Sequence, residues 1–443
     1  MNRKRKQGII TGALVALLLV TFAVTAAFGS TNDSTLTIDR GAEPSFYVGV
    51  TFGGNTTAEA KLLIDRVKTY TNLFVIQSGP VSKNETAMTE IIEYAIDAGL
   101  HIIVYFGWLD PAYSWRLPWL DSAKNRWGNQ FLGVYFSDEP SGAPLDYNWS
   151  EYFVGQKIQN SVEYQEHAEA IEHALNGTVP HDYDQAAVLS RNIIERNLEP
   201  LKNHKLTTFT SDYVLYWFDY KGGYDVILTQ LGWNQSVTQQ ISLLRGAARM
   251  QNKDWGAIIT WKYDKPPYLD SAGEIYSQLL NAYEAGAKYG IVFNYPQLDG
   301  NPYGVMTDEH FEALERFWTD VILKPKTTPN SPTAEAVLVL PSNYGFGLRR
   351  ADDRIWGYWE PDEKSAQVWD ISRKLLSEYG LRLDIIYEDQ AFPVAGKYSQ
   401  IYYWNQTLPA TIQGQSPSIH NAQNYFGEDY SNCPTDAHTL HDM

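Results

Sequence analysis

Residues 45–324 predict a (β/α)8 barrel, with a smaller α/β unit behind it. Three observations carry the expectation. Short apolar runs of strand length alternate with amphipathic, helix-length stretches. The runs are continuously apolar, as in parallel strands covered on both faces. Eight such pairs occupy about 280 residues, the size of one barrel.

Phe46–Phe52 reads as the first strand and Leu73–Gln77 as the second. Thr86–Ala98 has apolar positions near i, i+3 and i+4 and reads as a helix. Leu100–Phe106 is the third strand, interrupted only by His101, which reads as a satisfied core histidine. Phe131–Phe136 is the fourth. A long insertion follows, about Ser141–Lys205, with helical stretches near Val162–Leu175 and Tyr183–Asn203. Thr207–Thr210 is the fifth strand, and Asp225–Leu231 the sixth, with its helix at Val237–Met250. Ala257–Tyr263 is the seventh, followed by helix Ser271–Tyr289. Gly290–Tyr295 is the eighth, followed by helix Asp308–Leu323.

Residues 325–335 are rich in proline and polar side chains and read as a linker. Residues 336–408 form the small α/β unit: strands Ala336–Leu340, Leu381–Tyr387 and Ser399–Trp404, and helix Glu363–Tyr379. Residues 409–443 lose periodicity and turn Gln/Ser/Asn-rich, the pattern of a disordered or truncated tail.

The N-terminal 1–29 combine a basic flank (Arg3, Lys4, Arg5, Lys6) with an uncharged, mostly apolar run, Gly8–Gly29. At about 1.5 Å per residue that run spans a hydrocarbon core of roughly 30 Å. A retained transmembrane anchor is expected first, a cleaved signal peptide second, because Ala26, Ala27 and Gly29 permit cleavage. Either way the basic flank stays inside, residues 30–44 form a linker, and the bulk lies outside the cell membrane. Seven Asn-x-Ser/Thr sequons, at Asn32, Asn55, Asn84, Asn148, Asn176, Asn234 and Asn405, suit a glycosylated surface. The single Cys433 allows no internal disulfide.

The net charge of −17 argues against nucleic acid, whose phosphates need a basic face. No Walker loop, Gly-x-Gly-x-x-Gly or Cys/His cluster occurs, so neither a metal nor a nucleotide cofactor is expected. His167 and His173 lack the His-Glu-x-x-His spacing of a zinc protease and read as a solvated helix face. The 14 Trp and 30 Tyr mostly pack, but such amphipathic plates also stack on sugar faces.

Reactive residues of these barrels sit at the C-terminal strand ends. Those ends are Gly53-Gly54, Gln77, Trp108 with Asp110, Asp138-Glu139-Pro140, Ser211-Asp212, Gln230 with Trp233, Trp261-Lys262-Tyr263-Asp264, and Asn294-Tyr295. The fourth is the sharpest signal. Adjacent carboxylates directly after an apolar strand are costly unless paired or used. Close carboxyls raise one pKa, as a general acid near neutral pH requires.

Phe131-Leu-Gly-Val-Tyr-Phe-Ser-Asp-Glu-Pro140 resembles the strand-four signature of barrel glycoside hydrolases. It is most similar to families with an Asp-Glu pair there, such as the substrate-assisted β-N-acetylhexosaminidases. The resemblance implies a carbohydrate substrate, Glu139 as acid/base, and Asp138 orienting a 2-acetamido group that attacks the anomeric carbon. Such families also place a tyrosine and tryptophans around the acetamido group, for which Tyr263, Tyr295, Trp261 and Trp233 are positional candidates. The commonest barrel glycosidases instead have Asn before the strand-four Glu and a second Glu after strand seven. Here that end has Lys262 and Asp264.

Two alternatives stay open. Asp264 or Asp212 supplies a second carboxylate, retaining at about 5 Å from Glu139 or inverting at about 6.5–9.5 Å. Otherwise the barrel binds surface glycans without turnover. Trp108, Trp233, Trp261, Tyr263, Tyr295, Asn294 and Gln77 are the expected substrate-binding residues. Trp115, Trp119 and Trp127 either line sugar subsites or pack their loop onto the barrel. Trp356-Gly-Tyr-Trp359 either packs on the barrel or touches substrate.

Overall fold

The computed structural model describes residues 43–147, 180–233, 235–324, 334–409 and 412. Pro44–Met443 is one unit and Met1–Glu43 another; every element described belongs to the first. The expected anchor or signal, the helix near Val162–Leu175, His167, His173, the linker's core and the tail lie outside the described residues. Among the described residues no helix is long and apolar enough to cross a membrane. The described sequon residues Asn55, Asn84 and Asn405 are all exposed.

Eight parallel strands close on themselves: β1 (Tyr47–Phe52), β2 (Leu73–Ile76), β3 (His101–Tyr105), β4 (Phe131–Tyr135), β5 (Thr208–Asp212), β6 (Val226–Leu231), β7 (Asp254–Ile259) and β8 (Tyr289–Val292). β8 closes the ring on β1 with Tyr47 opposite Tyr289. The outer helices are α1 (Thr57–Val67), α2 (Glu85–Asp97), α3 (Arg116–Trp127), α4 (Gly142–Tyr147), α5 (Tyr183–Asn203), α6 (Tyr216–Gly222), α7 (Val237–Gln251), α8 (Ala272–Glu284) and α9 (Asp308–Phe317). Side-chain caps start many of them. Thr56 and Glu59 form a capping box on α1, while Asn84, Asp182, Ser236 and Ser271 accept first-turn N–H groups of α2, α5, α7 and α8. Each satisfies an orphan donor of the helix end.

Successive side chains of a strand point to opposite faces, and here the two faces make two cores. One fills the barrel, with Tyr47, Val75, Ile103, Tyr105, Tyr135 and Phe209 among its members. The other lies between strands and helices and includes Val48, Ile102, Val134 and Ile227. Phe209 and Ser211 of β5 therefore share the inner face, and Thr210 and Asp212 the outer one.

Several boundaries depart from expectation, among them β5, which runs on through Asp212, and β8, which stops at Val292. β7 runs Asp254–Ile259 rather than to Tyr263, because it pairs with β6 from Val226–Asp254 onward and ends level with Leu231. The helix expected over Ser271–Tyr289 stops at Glu284, where Gly286 at φ +89° reverses the chain before β8.

After the barrel, β9 (Ala336–Leu340), α10 (Glu363–Tyr379), β10 (Leu383–Tyr387) and β11 (Gln400–Tyr403) build a parallel three-stranded sheet of order β10-β9-β11 with one helix. Its edge lies on α7. A Cβ at Gly246 would stand 2.8 Å from Ile385 O, so that helix and strand meet backbone to backbone. Arg245 reaches Asp384 at 2.7 Å, and both are buried. Trp356 packs on Phe218 of α6 at 4.5 Å between ring centres, which takes it to the barrel wall.

Candidate active site

β4 delivers its carboxylates through a strained turn. Ser137 and Glu139 both hold left-handed backbone, at φ +58° and +50°. Such non-glycine conformations cost about 1–3 kcal/mol each and persist only where their surroundings impose them. The anchors are visible: Ser137 N donates to Gly107 O at 2.8 Å, Thr210 Oγ1 to Ser137 O at 3.0 Å, and Glu139 N to Ser211 O at 2.9 Å.

The two carboxyls sit in opposite environments. Asp138 Oδ1 accepts from Tyr135 Oη at 2.5 Å and from Ser211 Oγ at 2.9 Å. Two donors on one oxygen suit an ionised group. Burial and Asp138 together raise the Tyr135 phenol, so it stays a donor. Burial and the neighbouring Asp138 push the Glu139 carboxyl well above the usual carboxylate range, with Asp212 and Asp146 adding to the rise. Gln230 opposes this: its Nε2 donates to Glu139 Oε1 at 2.8 Å and to Ser211 Oγ at 2.9 Å. Its two amide hydrogens thus serve Glu139 and Ser211, and Ser211 passes its own to Asp138. A carboxyl pushed toward its neutral form beside one that accepts two hydrogen bonds is the arrangement of a general acid with an electrostatic partner.

An aromatic wall rises on the β6–β8 side. Trp261 stacks on Tyr295 with planes 8° apart, and its Nε1 donates to Tyr295 O at 2.6 Å. Trp233 meets Trp261 edge to face at 6.1 Å and is 38% exposed. Phe293 completes the wall from inside the barrel. A Cβ on Gly53 would collide with the Tyr295 ring at 2.7 Å, so a glycine there lets the ring lie flat across β1.

Opposite this wall, Gln77 ends β2 and is buried, and its Oε1 has no donor among the described residues. Trp108 Nε1, after β3, is also without an acceptor among the described residues, but this side chain packs against the outer core between strands and helices. The unspent hydrogen-bonding capacity of Gln77 calls for a polar partner.

The structure does not bring the other candidates into this group. Asp264 is exposed on the turn between Lys262 and Tyr268, five residues past the end of β7. Tyr263, 46% exposed, lies on the same turn. Asp212 is fully buried on the outer face of β5, where the N–H groups of Ser141, Gly142, Tyr213 and Val214 occupy its carboxylate. Asn294 is on the outer parity of β8. Its Oδ1 accepts from Val305 N and Met306 N, and its Nδ2 donates to Tyr303 O, so the amide pins a loop. Trp115 and Trp119 meet each other and Phe106 edge to face on the outer wall, Trp119 meets Phe131 in the same way, and Trp127 lies tilted against Trp119. His101 is held by the carbonyl of Asn72 at 3.1 Å. Among the described residues no His/Cys/Asp/Glu group has the geometry of a metal site.

Tyr135, Ser211 and Gln230 complete the site; the strand-end reading places Ser211 and Gln230 at the mouth without a specific role and passes over Tyr135. The usable signal is inner-face parity along strands that end there.

No protein-family model matches the chain, and neither does any curated protein. Among solved structures, the chain is similar to a GH5_18 protein from Streptomyces cattleya in complex with GlcNAc, at 11% identity and TM-score 0.47, over 82% of this chain and 99% of that one. A GH10 xylanase from Thermobacillus composti matches at 10% identity and TM-score 0.36, over 62% and 97%. A D-psicose 3-epimerase matches at 10% and TM-score 0.34, over 63% and 99%. Likeness at this level reaches several chemistries and separates none of them.

Proposed function

We propose that the protein is a glycoside hydrolase that cleaves amino-sugar-containing glycans with help from the substrate's own acetamido group. The observation that carries this reading is the split pair: a Glu139 carboxyl pushed upward by burial and by Asp138, beside an Asp138 that takes two hydrogen bonds. Glu139 gives its proton to the glycosidic oxygen as the bond to the anomeric carbon breaks. The acetamido carbonyl oxygen forms the new bond to that carbon, and Asp138 stabilises the positive charge on the amide nitrogen. Water then opens the cyclic intermediate and yields its proton to Glu139.

Two placements favour substrate assistance over an enzyme nucleophile. Asp212 is sealed behind the strand and engaged by four backbone N–H groups, and Asp264 is out on a solvated turn. The wall of Trp233, Trp261 and Tyr295 gives the apolar sugar face a platform. From the N-terminal run Gly8–Gly29 we place the barrel outside a membrane, tethered or released.

The test compares p-nitrophenyl N-acetyl-β-D-glucosaminide with p-nitrophenyl β-D-glucoside. The first is cleaved and the second is not. Glu139→Gln lowers turnover by about 10²–10⁴-fold, the usual worth of a positioned acid. Equal cleavage of both glycosides overturns substrate assistance. Undiminished turnover in Glu139→Gln overturns the assignment of the acid. Binding of chitooligosaccharide without turnover identifies a glycan-binding barrel instead.

A further inference from the structure

Behind the strand-four turn lies a second pair of carboxyls that the proposed chemistry does not use. Asp212 closes β5 and Asp219 sits on α6; neither has any exposed surface. Asp212 Oδ2 accepts from Ser141 N at 2.8 Å and Gly142 N at 3.1 Å, while its Oδ1 accepts from Tyr213 N at 2.7 Å and Val214 N at 3.2 Å. Asp219 Oδ1 accepts from Ser141 Oγ at 2.5 Å. Ser141 is thus gripped twice, by backbone and side chain, two residues after Glu139. The fit is close: a Cβ on Gly142 would stand 2.6 Å from Asp212 Oδ1 and 2.5 Å from the Tyr213 ring.

We propose that Asp212 and Asp219 act together as positioning residues, locking the left-handed turn that presents Asp138 and Glu139 by holding Ser141 and Gly142 from behind. The turn needs such a lock, because two non-glycine residues in left-handed backbone relax wherever their neighbours allow it. Strand hydrogen bonds fix the turn at Ser137 and Glu139. The carboxyl pair fixes its far end.

The two carboxyls are joined through Ser141, whose N–H goes to Asp212 and whose hydroxyl goes to Asp219, while Asp219 Oδ2 has no donor among the described residues. Burial raises both groups, Asp212 to about 7. Around the pair stand Glu139, the phenols of Tyr213, Tyr216, Tyr220 and Tyr224, and beyond Tyr213 the ion pair of Asp146 with Arg349. Each of those four phenols is raised by burial and stays neutral.

The lock itself stands without the proposed reaction; its effect on turnover rests on Glu139 being the acid. Hydrogen exchange over residues 136–145 of the intact chain tests the lock directly. Asp219→Ala speeds exchange of the Glu139, Ser141 and Gly142 amides by about tenfold, the loss of one buried hydrogen bond. Asp219→Asn keeps exchange within about twofold of the parent, because a carboxamide still accepts from Ser141 Oγ. Exchange in Asp219→Ala at the parent rate overturns the proposal, and so does Asp219→Asn exchanging as fast as Asp219→Ala. Ser141→Ala, which removes one hydroxyl, replaces Asp219→Ala if that variant does not melt cooperatively. On p-nitrophenyl N-acetyl-β-D-glucosaminide, Asp219→Ala lowers kcat about tenfold with KM within about twofold, and Asp219→Asn restores it. An unchanged kcat in Asp219→Ala overturns the catalytic half of the proposal. If the parent leaves this probe uncut, the reading of function fails while the exchange result still decides the lock.

Discussion

Gln230 holds Glu139 from the end of β6, two strands around the barrel, its Nε2 2.8 Å from Oε1. This one hydrogen bond opposes everything else acting on that carboxyl. Burial, Asp138, Asp212 and Asp146 all favour the neutral form, and Gln230 favours the charged one. It also links the acid to Asp138 through Ser211. The acid is therefore tuned from the ends of β5 and β6 as well as by Asp138 on its own strand end.

Replacing Gln230 by Met removes this opposing hydrogen bond and raises the Glu139 pKa further. A general acid works while protonated, so the alkaline limb of the kcat/KM profile moves to higher pH. At the optimum kcat falls by about tenfold or more, because the carboxyl loses the bond that orients it. A pH-rate profile with the limb unmoved contradicts the role given to Gln230.

Glu139→Gln trades activity for stability. A carboxyl whose folded pKa lies above its ordinary value of 4.5 stabilises the fold fully below that value and loses the contribution as pH rises through the folded pKa. Asp212, raised from 3.8 to about 7, follows the same sign. On the Asp212 shift the parent's melting temperature falls from about pH 4 toward pH 7. Glu139→Gln cancels its own share, so the variant melts about 2–4 °C above the parent at high pH for each kcal/mol recovered, and level with it near pH 4. Scanning calorimetry across that range reads the difference.

Trp233→Ala tests the aromatic wall with little risk to folding, since Trp233 is 38% exposed. Loss of one stacking face costs about 1 kcal/mol, or about a fivefold rise in KM or in the Kd for a chitooligosaccharide, with kcat unchanged. Titration calorimetry that finds equal affinity in parent and variant removes Trp233 from the substrate path.

Asp384→Ala leaves Arg245 buried without its carboxylate, and also strips Tyr398 of its acceptor at 2.8 Å. Breaking such a pair from one side costs about 3–5 kcal/mol. Arg245→Met combined with Asp384→Leu costs markedly less, because no charge is stranded. Urea unfolding of the three chains checks the order.

The barrel was legible because its strands are continuous apolar runs, and the lead pair because carboxylates after such a run stand out chemically. Asp212 misled for a definable reason. With strand five ended at Thr210, Asp212 reads as a loop residue free to face the mouth. The strand in fact runs through Asp212, and alternation with Phe209 and Ser211 turns it outward. Asn294 followed the same parity into its loop clamp. Ser211, Gln230 and Tyr135 carry no charge and no motif. Their roles exist only once closure of the sheet sets three strand ends side by side, which no single segment of sequence encodes.

The contact of Gly246 with Ile385 O has a bearing on portability. A barrel that merely carried an accessory sheet could lend itself to other partners. Here helix and strand touch through bare backbone, and a buried guanidinium is neutralised from the other side of the seam. Separated at residues 325–335, the barrel would expose that seam and retain an unanswered charge within it. The two sheets are therefore interlocking halves of one casting, and neither transplants without the other.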